Sequence, residues 1–161
     1  MTRFLPVAAA LLLLAAPAGA QAPAPSTVRP SAPRVVTGEQ LKASIDGRQK
    51  LLVVDTRTPD EFAQARIVGS VNVPAGFVRS LSNRLPKDKG TLLVFYCRGT
   101  GCTLSSEAAG EAAGLGYTNL AIYQAGIPDW LLFSQSNNKR TDIIMTMVTV
   151  AAAFNGNCQP T

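Results

Sequence analysis

The 161-residue chain contains no histidine. That removes every Cys-His and Ser-His catalytic pair, and most zinc-site templates, which use His or at least four cysteines. Cysteine is scarce too: Cys97, Cys102 and Cys158 are the three present. In an oxidising compartment three thiols can close one internal disulfide and leave one thiol over. Charged residues make up only 16% of the chain, and the net charge of +5 is scattered over positions such as Arg29, Arg57, Arg79 and Lys139. Without a basic stripe there is no nucleic-acid partner to expect, and mild attraction for small anions is the most this charge supports. Long apolar runs are missing as well. Residues 7–16 and 142–154 are apolar, yet both fall short of the ~20 residues that a spanning helix needs.

What is present begins with a leader. Arg3, the apolar run and then Pro-Ala-Gly-Ala, with Ala18 and Ala20 at the positions a signal peptidase reads, make 1–20 a secretory signal peptide. The protein is therefore expected to be exported, to a periplasm or outside the cell, with no stable membrane span after cleavage. Loss of Arg3 takes the 15 basic residues to 14 against 10 acidic, a mature charge of +4. Residues 21–34 carry four prolines and no apolar periodicity, the composition of an extended linker. That leaves 35–136 for one compact domain, enough for a single core, and 137–161 as a C-terminal extension. Its apolar part is expected to pack on the domain as an extra strand or helix.

Within 35–136 the pattern alternates. Thr37 with Gln40 three residues on, and Thr58 with Pro59 and Glu61, are helix starts. "LLVVDT" (51–56) and "TLLVFYC" (91–97) are continuous apolar runs of strand length, as buried parallel strands require. "IVGSVNVP" predicts a short strand, 76–85 a helix stopped by Pro86, "NLAIY" a strand and 127–133 a last helix, with Trp130 in its core face. Alternation of such strands with helices gives an α/β fold, an open parallel sheet with helices on both faces.

Cys97 stands at the carboxyl end of the second apolar strand, where open parallel sheets bind ligands. The loop Arg98, Gly99, Thr100, Gly101, Cys102 leads to a helix starting near Thr103. Glycines at 99 and 101 let backbone N–H groups turn inward, and the helix start adds its own unpaired donors. A cysteine held there has its thiolate stabilised and its pKa lowered; the same cradle would hold an oxyanion or a persulfide anion. No Arg stands six positions after Cys97, because that residue is Thr103, so a Cys-x5-Arg phosphatase is excluded. Asp55 and Arg57, in "DTR", are expected to form a buried ion pair holding strand to loop.

The segments "LLVVDTRTPDEFAQARIVGSVNVP", "VFYCRGTGCTLSSEAA" and "AGIPDW" together resemble the single-domain rhodaneses, a sulfurtransferase family. The resemblance implies the rhodanese-like α/β fold and a Cys97 that accepts a sulfane sulfur from a donor such as thiosulfate. It implies transfer of that sulfur to a thiophilic acceptor (cyanide, a thiol or a protein cysteine) without a cofactor or metal. Arg98 and the loop through Thr103 would bind the donor, and Asp55 and Arg57 would be structural. The chain departs from the family pattern where Cys102 replaces a loop-closing basic residue, which weighs toward a thiol-bound or persulfide donor. It departs again where Ala65-Arg66 replaces Gly-His. Spacing leaves the thiol pairing open: Cys97–Cys102 would make a redox switch, Cys102–Cys158 a staple for the tail, and Cys97–Cys158 a blocked site. Besides a sulfurtransferase, two other readings stand at this point: a thiol-disulfide redox protein using Cys97 and Cys102, and a catalytically silent binding module.

Overall fold

The computed structural model describes residues 32–136 and 143–145. The expected signal peptide, most of the linker and Cys158 lie outside the described residues. Strand β1 (Arg34–Val35) leads to α1 (Gly38–Asp46), whose start is fixed by the expected capping box: Thr37 and Gln40 exchange side-chain and backbone hydrogen bonds. Then come β2 (Leu51–Asp55), α2 (Pro59–Gln64), β3 (Ala65–Ile67) and β4 (Val71–Asn72). After these follow β5 (Leu92–Tyr96), α3 (Leu104–Gly114), β6 (Leu120–Tyr123), α4 (Gly126–Ser136) and β7 (Ile143–Met145).

Five strands pair in the order β1-β6-β5-β2-β4, every pair parallel. The apolar runs of β2 and β5 lie side by side, Leu51 opposite Leu92 through Asp55 opposite Tyr96. Successive side chains of a strand point to opposite faces, and β5 divides accordingly. Leu92, Val94 and Tyr96 pack with Leu41 of α1 and with Ile127, Trp130 and Leu131 of α4. Leu93 and Phe95 pack on the other face with Ala108, Ala109 and Ala112 of α3. All five β5 residues are buried, which is why the run is apolar without alternation. Trp130 is 1% exposed, edge-on to Tyr123.

Two elements differ from the sequence expectation. The single strand expected over 67–74 is divided, because Gly69, at φ +78°, turns the chain between β3 and β4. β4 joins the main sheet, whereas β3 pairs antiparallel with β7, Ala65 opposite Met145 and Ile67 opposite Ile143. The helix expected over 76–85 is a series of turns ending in one 3₁₀ turn, Ser82–Arg84. Tertiary bonds set its course: the Gly76 amide donates to Glu111 Oε1 at 2.7 Å, and Arg84 Nη1 donates to the Asn72 carbonyl at 2.7 Å. Val78 and Leu85 are both buried against α3 and its neighbours. Those contacts override a local helical preference worth only tenths of a kcal/mol per residue, on the order of 0.5 at most positions.

Candidate active site

The site grows from the end of β5. Asp55 and Tyr96 close the register of β2 with β5, and Thr56 locks the strand ends together, its amide and its hydroxyl both donating to the Tyr96 carbonyl at 3.0 and 2.9 Å. Next to it the expected Asp55–Arg57 pair is present and buried. Arg57 Nη2 lies 2.6 Å from Asp55 Oδ2 and Nε 3.0 Å from Oδ1, and Nη2 also donates to the Ala65 carbonyl at 2.6 Å. Asn72 Nδ2 donates to the Arg57 carbonyl at 2.9 Å, and the guanidinium carbon stands 5.7 Å from the Tyr96 ring centre. Burial would lower the Arg57 pKa, but the Asp55 carboxylate outweighs it and the group is held above its usual range. These bonds tie Asp55, Arg57, Ala65 and Asn72 together, so the group acts as a clamp at the end of β2 beside β5. Arg57→Lys keeps the charge but loses the planar fork. It should lower stability by about 2 kcal/mol, the scale of charge-assisted bonds lost, read as a lower urea midpoint with an unchanged m-value.

Cys97, the first residue beyond β5, is fully buried. Its carbonyl accepts the Ile127 amide at 3.0 Å, so the start of α4 fixes its backbone. Gly126 (φ +66°) makes that approach possible: a Cβ there would stand 2.4 Å from the Cys97 oxygen and 2.7 Å from the Gly99 nitrogen. Gly99 adopts φ +129° and Gly101 φ +88°, and the Cys102 amide donates to the Gly99 carbonyl at 3.1 Å, which curls the loop back on itself. Thr103 is the N-terminal cap position of α3, without a side-chain capping bond, so that side chain satisfies none of the first-turn amides.

Around Cys97 Sγ stand Ser105 Oγ at 3.6 Å, the Cys102 carbonyl at 3.7 Å and the Gly99 carbonyl at 3.9 Å. The Cys102 side chain is the largest influence on the thiol; burial opposes it, and the Gly99 amide and the hydroxyl and amide of Ser105 reinforce it. The net effect pulls the Cys97 pKa down from about 9 to about 6. A lowered pKa favours the thiolate, the nucleophilic form of the sulfur, held here among polar partners. Of the loop expected to hold an anion, Gly99 acts on the sulfur as a donor, together with Ser105, while the Gly99 and Cys102 carbonyls face the sulfur as acceptors. Gly99 supplies one amide, and the second comes from Ser105 in the first turn of α3. Ser105 was not singled out from the sequence; its signal was the helix start, which places its amide among the unpaired donors.

Arg98, expected to help bind the donor, is held by Glu61 on α2. Its Nε donates to Glu61 Oε1 at 2.7 Å and its Nη2 to Glu61 Oε2 at 2.9 Å. Burial pushes the Glu61 carboxyl up, but Arg98 and Thr58 outweigh it, and it stays below its usual range. The guanidinium fork is paired with a carboxylate of α2. Thr100 and Gly101 are exposed at the loop tip. Beside the loop opens a cleft of about 480 Å³ whose walls include Pro74, Phe77, Arg84, Arg98 and Leu104. No helix among the described residues is long and apolar enough to cross a membrane.

A buried, activated cysteine at the carboxyl end of a central parallel strand is the arrangement the sequence resemblance implied. A family model for the rhodanese-like domain matches residues 37–132, and the chain belongs to that family. A sulfurtransferase of Allochromatium vinosum is 28% identical over 95 residues, 59% of this chain and 85% of its own. The thiosulfate sulfurtransferase/rhodanese-like domain-containing protein 3 of Mus musculus is 26% identical over 121 residues, covering 68% and 76%. The crystal structure of the single-domain sulfurtransferase RDL2 of Saccharomyces cerevisiae matches with a TM-score of 0.55 at 23% identity, over 66% of this chain and 95% of that one. That last likeness is one of fold.

Ser105 offers a direct check on what holds the thiolate. Ser105→Ala removes one donor at 3.6 Å and should raise the Cys97 pKa above the present value of about 6. The expected loss is about 1 kcal/mol, under one pH unit. Alkylation rate against pH would show the midpoint moving upward; an unmoved midpoint would remove Ser105 from the account.

Proposed function

We propose that the protein is an exported sulfurtransferase in which Cys97 carries a sulfane sulfur as a persulfide. The observation that carries this reading is the placement of Cys97, buried directly after β5 with Ser105 Oγ 3.6 Å from its sulfur, where the Cys102 side chain, the Gly99 amide and Ser105 draw its pKa down. A thiolate attacks the outer sulfur of the donor, and the donor's remainder leaves with the electron pair. The same donors then hold the persulfide anion, which stays available to a thiophilic acceptor. Thiosulfate would leave sulfite; an organic persulfide would leave a thiol.

Two features favour the organic persulfide. Arg98 is paired with Glu61 through two bonds, which competes with any pairing to the two negative charges of thiosulfate. The cleft of about 480 Å³ beside the loop accommodates a body larger than that anion, with Phe77, 58% exposed, as apolar wall. A thiol or a protein cysteine is the acceptor this reading favours. Export rests on the leader at 1–20. The experiment is to reduce and desalt the mature protein, add either donor and measure the mass of the peptide holding Cys97. A gain of one sulfur, removed by cyanide as thiocyanate, is expected, faster with the organic persulfide. No gain with either donor overturns the reading.

A further inference from the structure

Sulfur transfer needs one cysteine, yet a second one closes the same loop. Cys97 and Cys102 are five positions apart, and the turn through Gly99 and Gly101 brings Cys97 Sγ to 3.7 Å from the Cys102 carbonyl. The Cys102 amide donates back to the Gly99 carbonyl at 3.1 Å, which closes the curl. Cys97 is fully buried whereas Cys102 is half-buried, at the wall of the loop. Gly101 lies in open space, with nothing within 4 Å of where a Cβ would be, so this side of the loop can shift without a clash. Disulfide closure needs the two Cα atoms within about 7 Å, a condition a five-residue loop with two glycines can meet by a small movement. The Cys102 side chain is also the group that most influences the Cys97 sulfur.

We propose that Cys102 is the resolving thiol of this loop: when Cys97 carries a sulfane sulfur and no external acceptor takes it, Cys102 attacks Cys97 Sγ, releases hydrosulfide and closes a Cys97–Cys102 disulfide. This step rests on the carrier reading above. The Cys102 sulfur supplies the electron pair of the new S–S bond. The bond between Cys97 Sγ and the outer sulfur breaks, and the outer sulfur leaves with its electron pair. The proton lost by Cys102 goes to that leaving sulfur, so a persulfide anion and a thiol become a disulfide and HS⁻. The sulfane sulfur is reduced and the two protein thiols are jointly oxidised. A dithiol reductant then reopens the loop by ordinary exchange. Run in sequence, these steps turn a persulfide-level sulfur and a dithiol into sulfide and a disulfide, an activity distinct from transfer to an acceptor.

The design of the chain makes the test simple, because Arg98 lies between the two cysteines. Trypsin separates them into peptides 90–98 and 99–139, which stay joined only if the disulfide has formed. Pre-reduced mature protein, desalted and free of reductant, is given one equivalent of thiosulfate, and in a parallel run one of an organic persulfide. Released sulfide and peptide masses are followed in wild type, C102S and C97S. The wild type is expected to release close to one equivalent of sulfide and to show the two peptides joined, with two hydrogens lost. C102S is expected to load Cys97 more slowly, to keep the extra sulfur on peptide 90–98, and to release about tenfold less sulfide or lower, the attacking thiol being absent. C97S sets the background. If the wild type instead retains its extra sulfur on 90–98 and releases none, the resolving step is wrong while the carrier reading stands. If no protein gains sulfur or releases sulfide from either donor, the carrier reading falls and the resolving step with it.

Discussion

Cys97→Ser should take up no sulfur from any donor and should lower cyanide-dependent transfer to the level of the protein-free reaction. A hydroxyl forms no persulfide and stays protonated across the working pH range, so both the bond and the nucleophile are lost together. The fold should survive. Cys97 is buried among polar partners, with the Cys102 carbonyl at 3.7 Å and Ser105 Oγ at 3.6 Å, so a serine hydroxyl has an acceptor in place. The urea midpoint should therefore shift by no more than about 1 kcal/mol, the worth of one hydrogen bond. In the wild type the loading rate should rise as pH climbs through about 6, as the Cys97 thiol gives up its proton, and then level off. An ordinary thiol would still be climbing near 8.5. The decisive measurement is stoichiometric sulfur loading by mass, run beside the unfolding curve. Sulfur found on the Cys97→Ser protein, and lost again when Cys102 is also replaced, would move the carrier role to Cys102.

Much of the fold and part of the site were legible because they rest on short-range chemistry. Thr58 and Glu61 name the start of α2 through a reciprocal pair of bonds three residues apart. The runs 51–55 and 92–96 name β2 and β5 because both faces of those strands are covered. The place of Cys97 follows from the same logic, a small residue after a buried strand and before glycines. What stayed hidden depends on contacts far along the chain. Arg98 looked available to a donor, and the residue that occupies it, Glu61, is 37 positions away. Ser105 and Ser106 are chemically alike, yet the phase of α3 buries the first beside the sulfur and leaves the second outside, bonded to the Thr103 carbonyl at 2.7 Å. An error of one residue in that phase exchanges their roles. The segment 76–85 has helical composition and is shaped instead by its bonds to Glu111 and Asn72.

Gly126 belongs to the same hidden class, and its replacement should have the second largest effect. In sequence it is only the turn of "AGIPDW"; in the fold it is where the start of α4 touches the backbone of the cysteine loop. A Cβ at Gly126 would lie 2.4 Å from the Cys97 oxygen, 2.7 Å from the Gly99 nitrogen and 2.9 Å from its Cα. All three are backbone atoms that no rotamer change can move. Gly126→Ala must therefore push the loop away, lengthen the bond from the Ile127 amide to the Cys97 carbonyl, now 3.0 Å, and shift the donors around the sulfur. A positive φ for a residue with a Cβ costs about 1–2 kcal/mol, and overpacking adds about 1–3 kcal/mol. A displacement near 1 Å at the reacting group can cost on the order of a hundredfold in rate. The loading rate should fall by about that factor, together with a lower unfolding midpoint. Gly116→Ala separates the two contributions. Gly116 has φ +87° but nothing within 4 Å of its Cβ position, and it follows the end of α3, away from the sulfur. It should show the backbone cost alone, with loading intact. Equal loading rates in the two variants would mean that the contact between α4 and the cysteine loop does not position Cys97.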